Sequence, residues 1–72
     1  MSIEYKGMIV EQQSDRNVSI YRSDGMMLVY AYVSKVLTEE ALERLASRLI
    51  RIFMESDRRR TMYLIADGLG EM

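Results

Sequence analysis

The sequence predicts an α+β fold in the order βββαβ: a three-stranded antiparallel β-meander, one long amphipathic α-helix packed on one sheet face, and a C-terminal β-strand. Three observations support this prediction. Apolar and polar residues alternate in the first third of the chain, an Asp-Gly pair separates two strand-like runs, and the apolar spacing becomes helical after residue 38. All 72 residues fit one small domain.

The first predicted strand spans residues 3–11. Ile3 and Tyr5 alternate with Glu4 and Lys6, which is typical of a half-buried strand, and we interpret Gly7 as a bulge inside it. Residues 12–17 are polar and favour turns, so they are expected to form a loop.

The second and third strands are predicted to form a hairpin. Asp24-Gly25 lies between the runs 18–22 and 26–33, and this dipeptide favours a two-residue type I′ turn. Such a turn fixes the register, which would pair Ile20 with Val29 and Tyr21 with Leu28.

The helix is predicted to begin after an N-terminal cap at Thr38 and to continue to about Ser56. Its apolar stripe is formed by Leu42, Leu45, Ala46, Leu49, Ile52 and Phe53. Ile50 and Met54 lie beside this stripe, and we expect them to widen the core. A final strand is expected over residues 61–66, before Asp67-Gly68.

A domain of this size buries only about 60% of the surface that its unfolded chain exposes, so its core is thin. The sequence has no cysteine and no histidine, which excludes disulfides and the commonest metal ligands, and leaves association with a partner subunit as the expected source of extra stability. The same absences remove the usual general base and thiol nucleophile, so no catalytic residues, cofactor or metal are predicted. No apolar run is long enough to span a membrane, and a cytoplasmic protein is expected.

One helix covers only one face of a sheet, and the hairpin register places a second set of apolar side chains on the other face. Large exposed apolar patches usually mark contact surfaces, and Tyr and Met are enriched there. The alternative is a set of half-hydrated tyrosines on a solvated sheet. The residues predicted to form a partner or dimer interface are Tyr21, Met26, Leu28, Tyr30, Tyr32 and Tyr63. From the last strand, either Tyr63 with Ile65 or Met62 with Leu64 would join this face.

Arginines form a second candidate surface. Arg44, Arg48 and Arg51 share the helix face opposite the leucines, and Arg58, Arg59 and Arg60 follow the helix. They are candidates for binding phosphates of nucleic acid or an acidic protein. The alternative is a solvated face in which glutamates four positions away, Glu40 and Glu55, neutralise Arg44 and Arg51.

These patterns do not name a biochemical activity, but they favour a class of function. We expect a non-catalytic protein-interaction module, homodimeric, that binds or inhibits a protein partner, as small accessory or regulatory proteins of phages and mobile elements do. Whether the sheet face binds a second copy or another protein is left open. The alternative function is a nucleic-acid-binding module that uses the arginines. The net charge of −1 makes the alternative weaker, because small DNA-binding domains are generally basic.

Overall fold

A computed structural model describes residues 1–57 and 59–67. It shows an α+β structure, as predicted, in which a mostly antiparallel five-stranded sheet packs against one helix within the described ranges. The elements in chain order are β1 (Ser2–Tyr5), β2 (Met8–Gln12), β3 (Val18–Tyr21), β4 (Met27–Tyr32), α1 (Glu39–Glu55) and β5 (Met62–Ile65). The strands lie in the sheet in the same order, β1-β2-β3-β4-β5.

The predicted order βββαβ is wrong in one respect, because the first predicted strand is a hairpin. Lys6 and Gly7 both have positive φ, 51° and 82°, which is the requirement of a two-residue type I′ turn, and Tyr5 pairs with Met8 across it. Gly7 therefore turns the chain and is not a bulge. The observed order is ββββαβ.

The turn between β3 and β4 is one residue longer than predicted. Gly25 N–H donates to Arg22 O at 2.9 Å, and Arg22 N–H donates to Met26 O at 2.8 Å. The loop therefore contains three residues, and the third, Gly25, has a φ of 94°, which a residue with a side chain rarely adopts.

A β-bulge restores the predicted register farther from this turn. Tyr21 pairs with Met27 and Ile20 with Val29, so Leu28 is the extra residue on β4. The predicted pairing of Ile20 with Val29 is confirmed, whereas that of Tyr21 with Leu28 is wrong. Because of the bulge, Leu28 no longer follows the alternation that would place it on the face away from the helix. It belongs to the hydrophobic core and is only 8% exposed.

The helix has the predicted limits. The Thr38 hydroxyl accepts a hydrogen bond from Ala41 N–H at 3.1 Å, and the helix ends at Glu55. Two expected core residues are instead exposed, Ile52 at 38% and Met54 at 54%, because they lie at the margins of the buried stripe. The buried helix residues are Leu42, Leu45, Ala46, Leu49 and Phe53.

The last strand lies beside β4 and parallel to it, after the chain has crossed over through the helix. Met62 and Leu64 pack against the core, whereas Tyr63 and Ile65 are 63% and 75% exposed. Of the two alternatives for this strand, the structure thus selects Tyr63 and Ile65 for the face away from the helix. We call this face the open face.

Gln12 is a buried polar residue that joins two connecting segments. Its amide nitrogen donates to Arg16 O at 2.9 Å and to Lys35 O at 2.8 Å, and its amide oxygen accepts from Leu37 N–H at 2.8 Å. Gln12 is only 7% exposed. It therefore links the β2–β3 loop to the segment that leads into the helix.

Candidate protein-interaction surface

The open face has two chemically different halves. On β1 and β2 it carries Glu4, Glu11 and the partly exposed Ile9, because Ile3 and Val10 pair on the helix side. On β4 and β5 it carries aromatic and aliphatic side chains, since Tyr30 lies beside Tyr63, and Tyr32 beside Ile65. The apolar area is therefore concentrated at the β5 edge of the sheet.

Three tyrosine rings form a cluster on this half. The ring centroids of Tyr30 and Tyr32 are 5.4 Å apart in an edge-to-face arrangement, and those of Tyr30 and Tyr63 are 6.0 Å apart. Tyr32 is 47% exposed and Tyr63 is 63% exposed, and Ile65 adds a further exposed apolar side chain. We call Tyr30, Tyr32, Tyr63 and Ile65 the aromatic patch.

The β2–β3 loop fixes the central ring of this patch. The Tyr30 hydroxyl accepts a hydrogen bond from Asn17 Nδ2 at 3.1 Å and donates to Asp15 Oδ2 at 3.4 Å. Asn17 is held in turn because its Oδ1 accepts from Val33 N–H at 3.2 Å. Tyr30 is half-buried, both hydrogen bonds hold its hydroxyl, and the more exposed rings pack on its ring.

The structure brings together only some of the predicted interface residues. Tyr30, Tyr32 and Tyr63 are adjacent, whereas Leu28 is only 8% exposed and belongs to the hydrophobic core. Met26 is 54% exposed, but it lines a depression with Phe53 at the end of the helix.

Tyr21 lies on the open face but outside the aromatic patch, on the neighbouring strand β3. It is half-buried, pairs with Ile9 of β2 and, with Glu11, lines a shallow depression beside the β3–β4 turn. The sequence predicts Ile65 only as one of two alternatives for the last strand, since an isolated four-residue strand gives no signal for which side faces the core.

The turn beside this depression is held by charge. Asp24 accepts hydrogen bonds from Arg22 Nε at 3.0 Å and from Met26 N–H at 3.1 Å, and it forms a salt bridge with Arg22. The hydrogen bond from Arg22, followed by that from Met26 N–H, lowers the pKa of Asp24 from its ordinary value of 3.8 to about 2. The carboxylate therefore stays charged to low pH.

Arg44, Arg48 and Arg51 lie together on the outer face of the helix, as predicted, and line a depression with Ser47. Within the described residues, neither Arg44 with Glu40 nor Arg51 with Glu55 forms a salt bridge. The neutralising pairs expected for a solvated face are thus absent from this part of the chain.

The second group of arginines, Arg58, Arg59 and Arg60, follows the helix in the sequence. Arg59 forms a salt bridge with Asp57 at 2.8 Å, and the accompanying hydrogen bonds lower the pKa of that carboxyl. Arg60 lines the depression at the helix end with Met26. Arg58 lies outside the described residues.

Residues 1–57 and 59–67 contain no group of three or more carboxylates placed to hold a metal ion. In the same ranges, no helix has the length and apolar character needed to cross a bilayer. Comparisons of the chain with protein-family models, with curated proteins and with solved structures found no match.

Proposed function

We propose that this chain is a non-catalytic protein-interaction module that associates with protein surfaces through the aromatic patch. The single observation that supports this proposal most is the exposure of three adjacent side chains, Tyr32, Tyr63 and Ile65, on a sheet face that the helix does not cover. Exposed apolar side chains are common on proteins, but here they are contiguous.

The size of the patch is consistent with this role. A tyrosine side chain offers about 150–250 Å² for burial, so the exposed fractions of Tyr32 and Tyr63 leave about 200 Å² available between them. With Ile65, which is 75% exposed, the exposed apolar area of the patch reaches about 300 Å². This is the lower end of the range of about 300–600 Å² for the largest apolar patch of a monomeric protein. The patch therefore suits a contact surface of modest size.

The patch is also prepared for binding before a partner arrives. The hydrogen bonds that Tyr30 makes with Asn17 and Asp15 hold its ring, and the packing of Tyr32 and Tyr63 on that ring restricts both side chains. A surface that is already ordered loses less conformational entropy when it binds. The module would act by covering or bridging its protein partner, as a small accessory or inhibitory protein does.

A matched pair of variants tests this proposal. Ile65 and Val36 are both β-branched and similarly exposed, at 75% and 78%, but Val36 lies in the β4–α1 connection, away from the patch. Ile65→Glu should abolish association, measured by sedimentation velocity and by binding to a captured partner, because it introduces a charge into the apolar contact. Val36→Glu should leave association unchanged. Equal behaviour of the two variants would contradict the proposal.

A second candidate function, nucleic-acid binding, is supported by Arg44 and Arg51, which lie exposed on one helix face without the expected glutamate pairs in the described chain. If the helix contacts phosphates, Arg44→Ala with Arg51→Ala should reduce the slope of log K against log salt by about two. Arg16→Ala in the β2–β3 loop is the control. A filter-binding titration with single- and double-stranded DNA and RNA that shows no binding at low salt would exclude this function.

A further inference from the structure

The backbone of β5 offers hydrogen-bonding groups on its outer side. Ala66 N–H donates to Tyr32 O of β4 at 2.9 Å, so the polar backbone groups of Ala66 are directed towards β4. Successive residues of a strand direct these groups to opposite sides, and Leu64 and Met62 therefore also bond to β4. The N–H and C=O groups of Tyr63 and Ile65 consequently point away from the sheet.

No other strand of the described chain lies beyond β5, since it is last in the sheet order. Proteins usually protect such an edge with a charge, a proline or a bulge. The segment 61–66 contains no charged residue and the sequence contains no proline. The register with β4 is also unbroken from Met62 to Ile65, so within the described residues this edge is protected only by its short length of four residues.

We propose that β5 pairs antiparallel with the β5 strand of a second copy of this chain, about a two-fold axis at Leu64. This inference rests on the proposed function, since it gives the aromatic patch a specific partner and geometry. Tyr63 would lie opposite the partner subunit's Ile65, and Ile65 opposite the partner subunit's Tyr63. The two five-stranded sheets would then form one continuous sheet.

The backbone groups of β5 are complementary to themselves in this register. Residues directly opposite each other in an antiparallel pair exchange two hydrogen bonds when their polar groups face each other. Tyr63 and Ile65 both face outward, so the two pairs related by the axis would form four hydrogen bonds between the copies. Each pair also places an aromatic side chain opposite a β-branched one, a favourable cross-strand combination.

The charges of the open face favour pairing at the edge over stacking of two open faces. Stacking would bring Glu4 and Glu11 of both copies into one interface, whereas these residues lie on β1 and β2, at the other side of the sheet. With strands about 4.8 Å apart, pairing at β5 keeps the β2 strands of the two copies about 34 Å apart. This separation is several Debye lengths at physiological salt, so the glutamates would not oppose association.

Pairing of two four-residue strands forms a small interface, below the ~1,200 Å² typical of stable complexes. We therefore expect a reversible dimer with a dissociation constant of about 10 µM to about 1 mM.

Amide hydrogen exchange of the full unmodified chain, followed by NMR across this concentration range, tests the inference without a mutation. The amides of Tyr63 and Ile65 should become about two- to sevenfold better protected at high concentration as the free monomer is depleted, whereas that of Leu64, bonded to β4, should change little. Tyr63 and Ile65 amides that exchange equally fast throughout would overturn the inference.

Two substitutions at one position give an independent test. Ile65→Pro removes an outward N–H without removing a bond to β4, whereas Ile65→Val keeps the N–H and the branched side chain. Ile65→Pro should weaken dimerisation at least tenfold in analytical ultracentrifugation, since two of the four hydrogen bonds between the copies are lost. Ile65→Val should change it less than threefold. Equal dissociation constants for the two variants would overturn the inference.

Tyr32→Glu separates this inference from the proposed function. Tyr32 is part of the aromatic patch, but it lies on β4, which is paired on both sides and is not at the edge of the sheet. If self-association survives Ile65→Pro and is lost in Tyr32→Glu, the patch binds by its side chains and the edge pairing is wrong. A chain that stays monomeric to about 1 mM also refutes the edge pairing. Binding of another protein that is lost in Ile65→Glu would then still support the proposed function.

Discussion

Replacement of Gln12 by leucine should cost much of the stability of this fold, although Gln12 lies far from the proposed interface. The side chain makes three hydrogen bonds to backbone groups of Arg16, Lys35 and Leu37. Leucine has a similar size and no polar atoms. The substitution therefore removes every one of these bonds while keeping the volume filled.

Each of the three lost hydrogen bonds contributes to the decrease in the free energy of unfolding. Leu37 N–H is buried and would lose its partner, which costs about 1–3 kcal/mol, and the two partly buried carbonyl bonds contribute about 1 kcal/mol each. The total of about 3–5 kcal/mol is large for a 72-residue chain, whose stability at the usual value per residue is about 4–11 kcal/mol. The melting temperature should fall by at least about 12 °C.

Urea denaturation followed by far-UV circular dichroism measures this loss. The neighbouring Gln13 is the matched control because it is exposed and its side chain donates a single hydrogen bond, to Ser19 Oγ at 3.0 Å. Gln13→Leu removes only this bond and leaves the buried Ser19 hydroxyl without it, so it should cost about 1–3 kcal/mol, less than Gln12→Leu. If Gln12→Leu costs less than about 1 kcal/mol, or no more than the control, then Gln12 does not join the two segments in the way described.

Three further predictions concern the turns and the bulge. The pKa of Asp24 is lowered to about 2, so its contribution to stability is complete above about pH 4 and is lost as the pH falls through 2; Asp24→Asn should flatten the urea-derived stability curve over this interval. Leu28→Ala should destabilise the fold by about 2–5 kcal/mol and leave the dissociation constant of any dimer within twofold, and a large change in association with little loss of stability would instead place Leu28 at an interface. Lys6→Asn should be more stable than Lys6→Ala by about 0.5 kcal/mol, since both lose the contact of Lys6 Nζ with the Tyr5 ring but asparagine tolerates positive φ better than alanine, and the reverse order would contradict the assigned turn.

The helix and the centre of the β3–β4 hairpin could be predicted because their signals are local. Thr38 and the spacing of the leucines define the helix, and the alternation of residues around Ile20 and Val29 defines the pairing. The first hairpin was missed because lysine seldom takes positive φ, so Lys6-Gly7 gives a much weaker turn signal than Asp-Gly.

The candidate site could be predicted only in part, because its composition depends on distant contacts. The bulge at Leu28 compensates for the extra residue in the turn, and neither is visible from the dipeptide Asp24-Gly25 alone. The placement of Ile65 follows from the parallel pairing of β5 with β4, which depends on how the helix returns the chain to the sheet. Tyr30 and Tyr32 were identified because the hairpin alternation is local.

The parallel pairing of β4 with β5 also has a consequence for the order of folding. Each of the first three strands pairs with the next through a short connection, whereas Met62 of β5 comes 33 positions after its partner Val29 of β4. Closing the longer segment costs more chain entropy, so β5 should dock last, after the helix has formed. During synthesis, the edge of β4 would therefore remain open until residues 62–65 leave the ribosome. For that interval the nascent chain would itself be vulnerable to pairing with the wrong strand.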